Sequence, residues 1–360
     1  MRIMEVLGMS AGGIARHVAT LQRGLDGQAG LEITVAGPAD LPEKMPGAFQ
    51  PVVIPDGPFG HRDAVRRLTE LAESFDVCHG HGLRAGIDSA FAARKVGAAA
   101  FATIHNLVRP EIAGRWRAPL YAYAERMVVR LNDRIFCVSE EIASHLRRRV
   151  PREDADKIEV AYLGVEPPPE PGTDAATVRA NLGIQGGVPL IVTVARLSPQ
   201  KALHVMLDAV ALLPDAHLAI LGEGPLRAEL EDHARRVLPG RAVFLGYRND
   251  AIDHVAAADV FCLSSVWEGV PLAVMEAILV GVPIVSTDVG GMSEIITDGR
   301  SGRLVPPNDA AALARALSDV LSDPEMRRSY RAAAREHVSE RFSVQRMLAH
   351  LAEAYGAARA

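Results

Sequence analysis

Short, continuously apolar runs alternate with amphipathic helical stretches along nearly the whole chain, and this pattern constrains the fold more than any other feature. Such runs suit strands buried on both faces of a parallel sheet, and their alternation with helices implies βαβ units. In the first half the expected strands are 3–8, 32–36, 51–54, 77–79, 99–104, 134–138 and 157–161, with helices at 13–26, 62–74, 84–96, 116–132 and 140–149. A second series places strands at 190–194, 217–221, 242–245, 260–263, 283–286 and 302–305. Between them lies LGVEPPPEPGTDAA, residues 163–176. Its clustered prolines fit neither a helix interior nor a central strand, so it reads as an interdomain linker. A chain of 360 residues divides naturally into two such domains. The expectation is an α/β protein with two doubly wound, Rossmann-like domains facing a central cleft, ligands binding at the carboxyl ends of the strands.

Charge and composition exclude several classes. The net charge of −5 argues against a nucleic-acid binder acting through bulk charge. No apolar run reaches the roughly 18 residues that a membrane span needs, and MRIMEVLGMSAGG reads as a first strand rather than a signal peptide. Cys78, Cys137 and Cys262 are far apart without zinc spacing, which fits buried thiols in a reducing cytoplasm. Residues 109–152 are an exception to the acidic balance, with ten arginines against five carboxylates, a local net of +5. Arg115, Arg117 and Arg126 are interleaved there with Trp116, Leu120, Tyr121 and Tyr123. Either this is a solvated helix face, or it docks on an anionic membrane surface, peripherally at the inner face, or on a phosphorylated lipid acceptor.

Two junctions carry the chemistry. In VTVARLSPQKALHVMLDAV a strand ends at Ala195, and Arg196 and Lys201 flank a turn that precedes a helix. Two cations beside a helix N-terminus at a strand end make an anion site. In ADVFCLSSVWEGVPLAVMEA a strand runs into a loop bearing Glu268, with Pro271 at the expected first helical position and Glu276 within the helix. Gly269 permits close backbone approach, and a carboxylate at Glu276 suits the paired hydroxyls of a ribose. Weaker signals are Gly222-Glu-Gly-Pro, half of a dinucleotide fingerprint, and Asp154-Ala-Asp156 in a charged loop. His79 and His81 alternate at a strand end without further ligands in view.

VARLSPQK, then WEGVPLAVMEA, then GVPIVSTDVGGMSEIITDGRSGRLVPPND resemble the C-terminal half of the family 4 retaining glycosyltransferases of GT-B fold, glycosyl transferase group 1. The Glu-x7-Glu spacing falls on Glu268 and Glu276, and Gly12–Gly13, HGHG and TIHN match in the first half. The resemblance implies domains at 1–165 on the acceptor side and 166–340 on the nucleotide-sugar side, with 341–360 holding a helix that crosses back to the first domain. It further implies transfer of a sugar from a UDP- or GDP-linked donor to an acceptor hydroxyl, with retention, no cofactor and no metal. Arg196 and Lys201 would stabilise the departing diphosphate, and Gly12 and Gly13 would approach it by their backbone. Glu268 would contact the donor sugar, with Gly269, Val270, Pro271 and Leu272 packing around it. Glu276 would hold the ribose, His105 would line the sugar pocket or position the acceptor hydroxyl, and Tyr247 and Arg248 mark the base pocket. The acceptor would be a saccharide, a lipid-linked group or a small molecule. The sequence departs from the family at Leu163–Gly164–Val165, commonly Asn-Gly-Val, and at Lys201–Ala202, commonly Lys-Gly. A hydrolysing sugar-nucleotide epimerase and a non-catalytic nucleotide-sugar-binding protein are the alternative readings.

Overall fold

The computed structural model describes residues 1–8, 12–28, 30–57, 59–107, 118–184 and 186–358. The chain forms two compact units, Met1–Gly164 with Val344–Ala360, and Val165–Ser343.

The first unit contains β1 (Arg2–Leu7), α1 (Gly13–Leu25), β2 (Glu32–Gly37), β3 (Phe49–Pro51), α2 (His61–Ala72), β4 (Val77–His81), α3 (Leu83–Val96), β5 (Ala99–Ile104), α4 (Ala118–Leu131), β6 (Arg134–Cys137), α5 (Glu140–Arg147), α6 (Arg152–Ala155) and β7 (Ile158–Val160). Its seven strands form one parallel sheet in the order β3-β2-β1-β4-β5-β6-β7. The second unit contains α7 (Ala175–Asn181), β8 (Leu190–Val194), α8 (Leu203–Ala211), β9 (His217–Leu221), α9 (Arg227–Val237), β10 (Ala242–Gly246), α10 (Ala251–Ala256), β11 (Val260–Leu263), α11 (Leu272–Val280), β12 (Ile284–Thr287), α12 (Met292–Ile295), β13 (Arg303–Val305), α13 (Ala310–Ser322) and α14 (Pro324–Arg341). Its six strands are again parallel, in the order β10-β9-β8-β11-β12-β13. In each sheet the winding reverses at the first strand, between β1 and β4 and between β8 and β11. Crossovers leave in opposite directions there, so the carboxyl ends of those strands open onto a crevice.

The last helix, α15 (Val344–Ala357), belongs to the first unit. Met347, Leu351, Ala354 and Tyr355 recur at helical spacing and pack with Ile3, Leu21, Val77 and Phe101. Thus α1 and α15 cover one face of the first sheet. Met4, Val6, Cys78 and Ala100 face the other way, toward residues of α2 and α3.

Several local expectations shift. The strand expected at 51–54 is instead an edge strand, Phe49–Pro51, which tolerates the proline because no N–H is needed there toward β2; Val52 N still donates to Gly37 O at 2.7 Å, and Val52 and Ile54 enter the core. Strand β4 runs on to His81. The proline-rich segment ends at Asp174, whose side chain caps α7 by accepting from Thr177 N at 3.0 Å. The charged loop around Asp154 contains a helical turn, α6, and Asp154 binds Lys157 at 2.7 Å. Pro271 is the N-cap of α11, with ψ 107°, one residue before the helix that it was expected to begin.

All three cysteines are buried free thiols, and burial pushes Cys78 up to about 12, so it stays protonated and inert. Among the described residues no helix is long and apolar enough to cross a membrane. In the basic stretch, Arg109, Arg115, Trp116 and Arg117 lie outside the described residues. Beyond them, Arg147 pairs with Glu140 at 2.8 Å and Arg149 with buried Glu125 at 3.3 Å, while Leu120 and Tyr123 on α4 are exposed.

Candidate functional site

In the second unit the turn after β8 is braced from below. Ala195 N donates to Leu221 O at 2.9 Å and Leu197 N to Glu223 O at 3.0 Å. Gly222 has φ +127°, and a Cβ on it would overlap the Ala195 carbonyl. The glycines of Gly222-Glu-Gly-Pro therefore serve close backbone packing under the Arg196 turn, not a dinucleotide fingerprint. Arg196 projects from this turn and is exposed. A 3-10 turn, Pro199–Lys201, follows, and Ala202 closes it in the left-handed region at φ 43°. The position where the family commonly has glycine keeps a glycine-like conformation with an alanine.

Lys201 and Glu268 meet directly. Lys201 Nζ lies 2.5 Å from Glu268 Oε1, which also accepts from Ser265 Oγ at 2.5 Å. Gln200 Nε2 donates to Trp267 O at 3.0 Å and reaches Glu268 Oε2 at 3.5 Å. The two loops are also tied at the backbone of the β8 turn: Val266 N donates to Gln200 O at 2.9 Å, and the Ser264 hydroxyl Oγ donates to Lys201 O at 2.9 Å. The loop is then held from the β12 side. Thr287 Oγ1 donates to Ser265 O at 2.6 Å and Gly291 N to Gly269 O at 2.8 Å. Gly290, at φ +60°, lies so close that a Cβ would overlap the Glu268 carbonyl. Val270 and Pro271 are buried and Leu272 opens α11, whose start has no side-chain cap and no acidic residue in the first turn. Those N–H groups and the helix dipole favour an anion. Glu276 lies half-buried on the same helix. After β10, Tyr247 is 78% exposed, and Arg248 forks onto Asp250 at 2.6 and 2.5 Å. A cavity of about 200 Å³ opens beside them, lined by Thr173, Asn181, Leu245, Arg248, Asp250 and His254.

The first unit holds a second polar cluster at its own switch point. Register pairs Glu5 of β1 with His79 of β4, and His81 with Thr103 of β5. Residues two apart on a strand share a face, so His79 and His81 both point toward α1 and α15 rather than to opposite sides. Glu5 Oε1 accepts from Tyr355 OH at 2.7 Å, and Oε2 lies 2.7 Å from His81 Nε2. His79 reaches Tyr355 OH at 2.6 Å and Thr103 Oγ1 at 2.8 Å. His81 Nδ1 lies 3.0 Å from His105 Nε2. His17, from α1, sits edge-on to His81 and His105, and neither of its buried ring nitrogens has a partner among the described residues. Burial pushes Glu5 up and the four histidines down, His79 and His81 to about 3, so the rings are neutral. Two overlapping sets, His17–His81–His105 and Glu5–His79–His81, bring possible ligand atoms within 4.8 Å of one another. Much of that capacity is taken up by the hydrogen bonds just described. At the start of α1, Gly12 is the N-cap, Gly12 and Gly13 are exposed, and among the described residues a Cβ on Gly12 would meet nothing within 4 Å.

Among the residues singled out in the sequence, Lys201 and Glu268 are joined, while Arg196 follows β8, Glu276 lies on α11, and Tyr247 and Arg248 follow β10, two strands away from β8. Gln200, Ser265 and Gly290 had no signal of their own. Glu5 had one, a carboxylate inside an otherwise apolar strand, whereas Tyr355 and His17 looked like ordinary helix residues.

Comparison with known proteins agrees with this architecture. The family described as Glycosyl transferases group 1 matches residues 174–337, and Glycosyltransferase Family 4 matches residues 11–167. The chain is 30% identical over 312 residues to alpha-maltose-1-phosphate synthase of Mycolicibacterium smegmatis, covering 79% of each. It is 29% identical over 355 residues to phosphatidyl-myo-inositol mannosyltransferase of the same organism, covering 91% of this chain and 86% of that one. Anabaena HepE, solved in complex with UDP-glucose, superposes with a TM-score of 0.86 at 21% identity, covering 99% of this chain and all of that one. With a double parallel sheet, both family matches and relatives spanning most of its length, the chain belongs to the group 1, family 4 glycosyltransferases of GT-B fold and is a glycosyltransferase.

Proposed function

We propose that the chain transfers a sugar from a UDP- or GDP-linked donor to an acceptor hydroxyl, with retention and without a metal, in polysaccharide, glycolipid or natural-product glycoside synthesis. The observation that carries this reading is the Lys201–Glu268 pair at the carboxyl ends of β8 and β11. Donor cleavage develops negative charge on the departing diphosphate, and fixed cations and N–H groups placed there accelerate it. Lys201 and Arg196 supply the cations. The uncapped start of α11 supplies N–H groups, with Gly269 through Leu272 around the sugar. Glu268 is buried yet held by Ser265 and Gln200, so it keeps its position when Lys201 turns to a phosphate. Its charge supports an oxocarbenium-like centre, and Glu276 takes the ribose hydroxyls. Tyr247 and Arg248 flank the base. Gly12 and Gly13 approach the phosphates, and His105 orients a sugar hydroxyl. UDP-linked donors gain support from HepE, solved with UDP-glucose, and from a 28% identical Escherichia coli relative named for UDP-Gal.

The test incubates the protein with UDP- and GDP-sugars and mixed acceptors, with and without EDTA, and follows nucleotide release and product configuration. Binding and turnover that persist in EDTA, with a product of the donor's anomeric configuration, are expected. Failure to bind or cleave any donor would overturn the reading, and loss of turnover in EDTA would overturn metal independence. Exposed Leu120 and Tyr123 on α4 support peripheral contact with anionic lipid. Co-sedimentation with anionic vesicles at low salt tests it, and absence of binding there removes it.

A further inference from the structure

We propose that Tyr355, Glu5 and His81 are positioning residues that hold His105 as its Nε2–H tautomer, so that its Nδ1 lone pair is kept as an acceptor for a hydroxyl of the bound sugar or acceptor. The use made of that lone pair rests on the transferase reading of His105, whereas the tautomer does not.

The hydrogen bonds leave little freedom. The phenol of Tyr355 donates its proton to Glu5 Oε1 at 2.7 Å. Its oxygen is then an acceptor toward His79, 2.6 Å away, so His79 carries its proton on Nδ1. A neutral His79 must accept at Nε2, and Thr103 Oγ1 donates there at 2.8 Å. The carboxylate's other oxygen, Oε2, takes the proton-bearing Nε2 of His81 at 2.7 Å. A neutral His81 therefore presents a bare Nδ1. The only proton available for the 3.0 Å contact between His81 Nδ1 and His105 Nε2 is the one on His105. It follows that His105 Nδ1 is unprotonated. All these rings are buried, and burial disfavours the charged imidazolium that would break the alternation. The reverse polarity requires Glu5 as a carboxylic acid donating from Oε2 to His81, which would turn the Glu5–His81 and His81–His105 bonds around, leave those of Tyr355 and His79 as they are, and make His105 Nδ1 a donor. The carboxylate form is favoured by the Tyr355 hydroxyl, which donates to Oε1 at 2.7 Å, and by the His79 Nδ1–H, 3.4 Å from Oε2, both of which act against the upward push of burial on Glu5. The assembly joins β1, β4, the end of β5 and α15, so a residue of the last helix sets the proton position on a histidine after the fifth strand.

Two measurements test this. Ring-nitrogen NMR of the protein labelled with 15N-histidine reads tautomers directly. It should show protons on Nε2 of His81 and His105 and on Nδ1 of His79, and a proton on His105 Nδ1 overturns the proposal whatever the enzyme transfers. Kinetics then use a productive donor and acceptor pair. In His81→Asn the side-chain oxygen stands where Nδ1 stood and still accepts from His105, whereas His81→Phe fills the space without an acceptor. We expect His81→Phe to lower kcat by about 100-fold, the scale of a misplaced reacting group, with donor KM changed less than about threefold. His81→Asn should recover most of that loss. Equal loss in both folded variants, or no loss in either, overturns the positioning role. A wild-type protein without transferase activity fails the functional reading instead, and the NMR result still decides the tautomer.

Discussion

Tyr355 and Glu5, 350 positions apart in sequence, share a 2.7 Å hydrogen bond in which the phenol donates to Oε1 of a fully buried carboxylate. The bond ties the last helix to the first strand and gives the first unit a polar centre inside an apolar face. Tyr355→Phe keeps the ring stacked on Phe101 and removes both the donor to Glu5 and the acceptor of His79 Nδ1. A hydrogen bond to a buried charge contributes about 1.5–3 kcal/mol. The thermal midpoint of Tyr355→Phe should therefore fall by at least about 3 °C. An unchanged midpoint would show that the phenol proton does not stabilise Glu5.

Acid should weaken the first unit before it affects the second. The folded values of His79 and His81 are lowered to about 3 from 6.5, with burial as the main cause. Between those limits the unfolded chain binds more protons than the folded one, so stability rises with pH through that window and is lost on acidification. Each such histidine contributes about 1.4 kcal/mol per pH unit. Glu5 acts oppositely, because its raised value leaves the folded state more protonated above 4.5. The histidines outnumber it. Thermal unfolding followed at pH 7 and pH 5 should give the lower midpoint at pH 5, with faster amide exchange in β1 and β4. A higher midpoint at pH 5 would contradict the neutral-histidine description.

Lys201→Ala removes the cation paired with Glu268 but leaves Ser265 and Gln200 to hold the carboxylate. The protein should stay folded while kcat drops by about a hundredfold or more, the scale of losing one group aimed at developing charge. Steady-state rates with saturating donor check this, and an undiminished kcat would take Lys201 out of the mechanism.

Gly290→Ala places a methyl where the Glu268 carbonyl already lies, at a left-handed φ of +60°. The loop carrying Glu268 must shift, which should lower donor turnover at least about tenfold and cost about 1–3 kcal/mol of stability. Gly12→Ala is the contrast, since its Cβ meets nothing within 4 Å among the described residues and the thermal midpoint should hold. Equal stability of the two variants would mean that the close approach at Gly290 is relieved cheaply.

The strands were readable because a sheet covered on both faces demands continuous apolar runs, a demand visible residue by residue in VFCL or LIVTV. Edges were not: β3 stops at Pro51, and Pro271 caps α11 rather than opening it, because both depend on the neighbouring backbone. Lys201 and Glu268 were legible as chemistry, a cation and a carboxylate at strand ends. Their contact was not, since 67 positions separate them and only the adjacency of β8 and β11 brings them together. Gly222 illustrates the same limit in reverse. Its sequence suggested a ligand, and its surroundings show a glycine required by the Ala195 carbonyl.

By itself, then, the order of residues determined the alternation of strands and helices, the placing of charged groups at strand ends and the family motif, because these are local in the chain. Tertiary structure alone decided which charges pair and which histidines meet. Glu5, His79, His81, His105 and Tyr355 lie on four separate stretches of chain, and only parallel register and the return of α15 bury them together. Burial then does what sequence cannot express: it removes water as the alternative partner, so every proton in the cluster must be shared among its members.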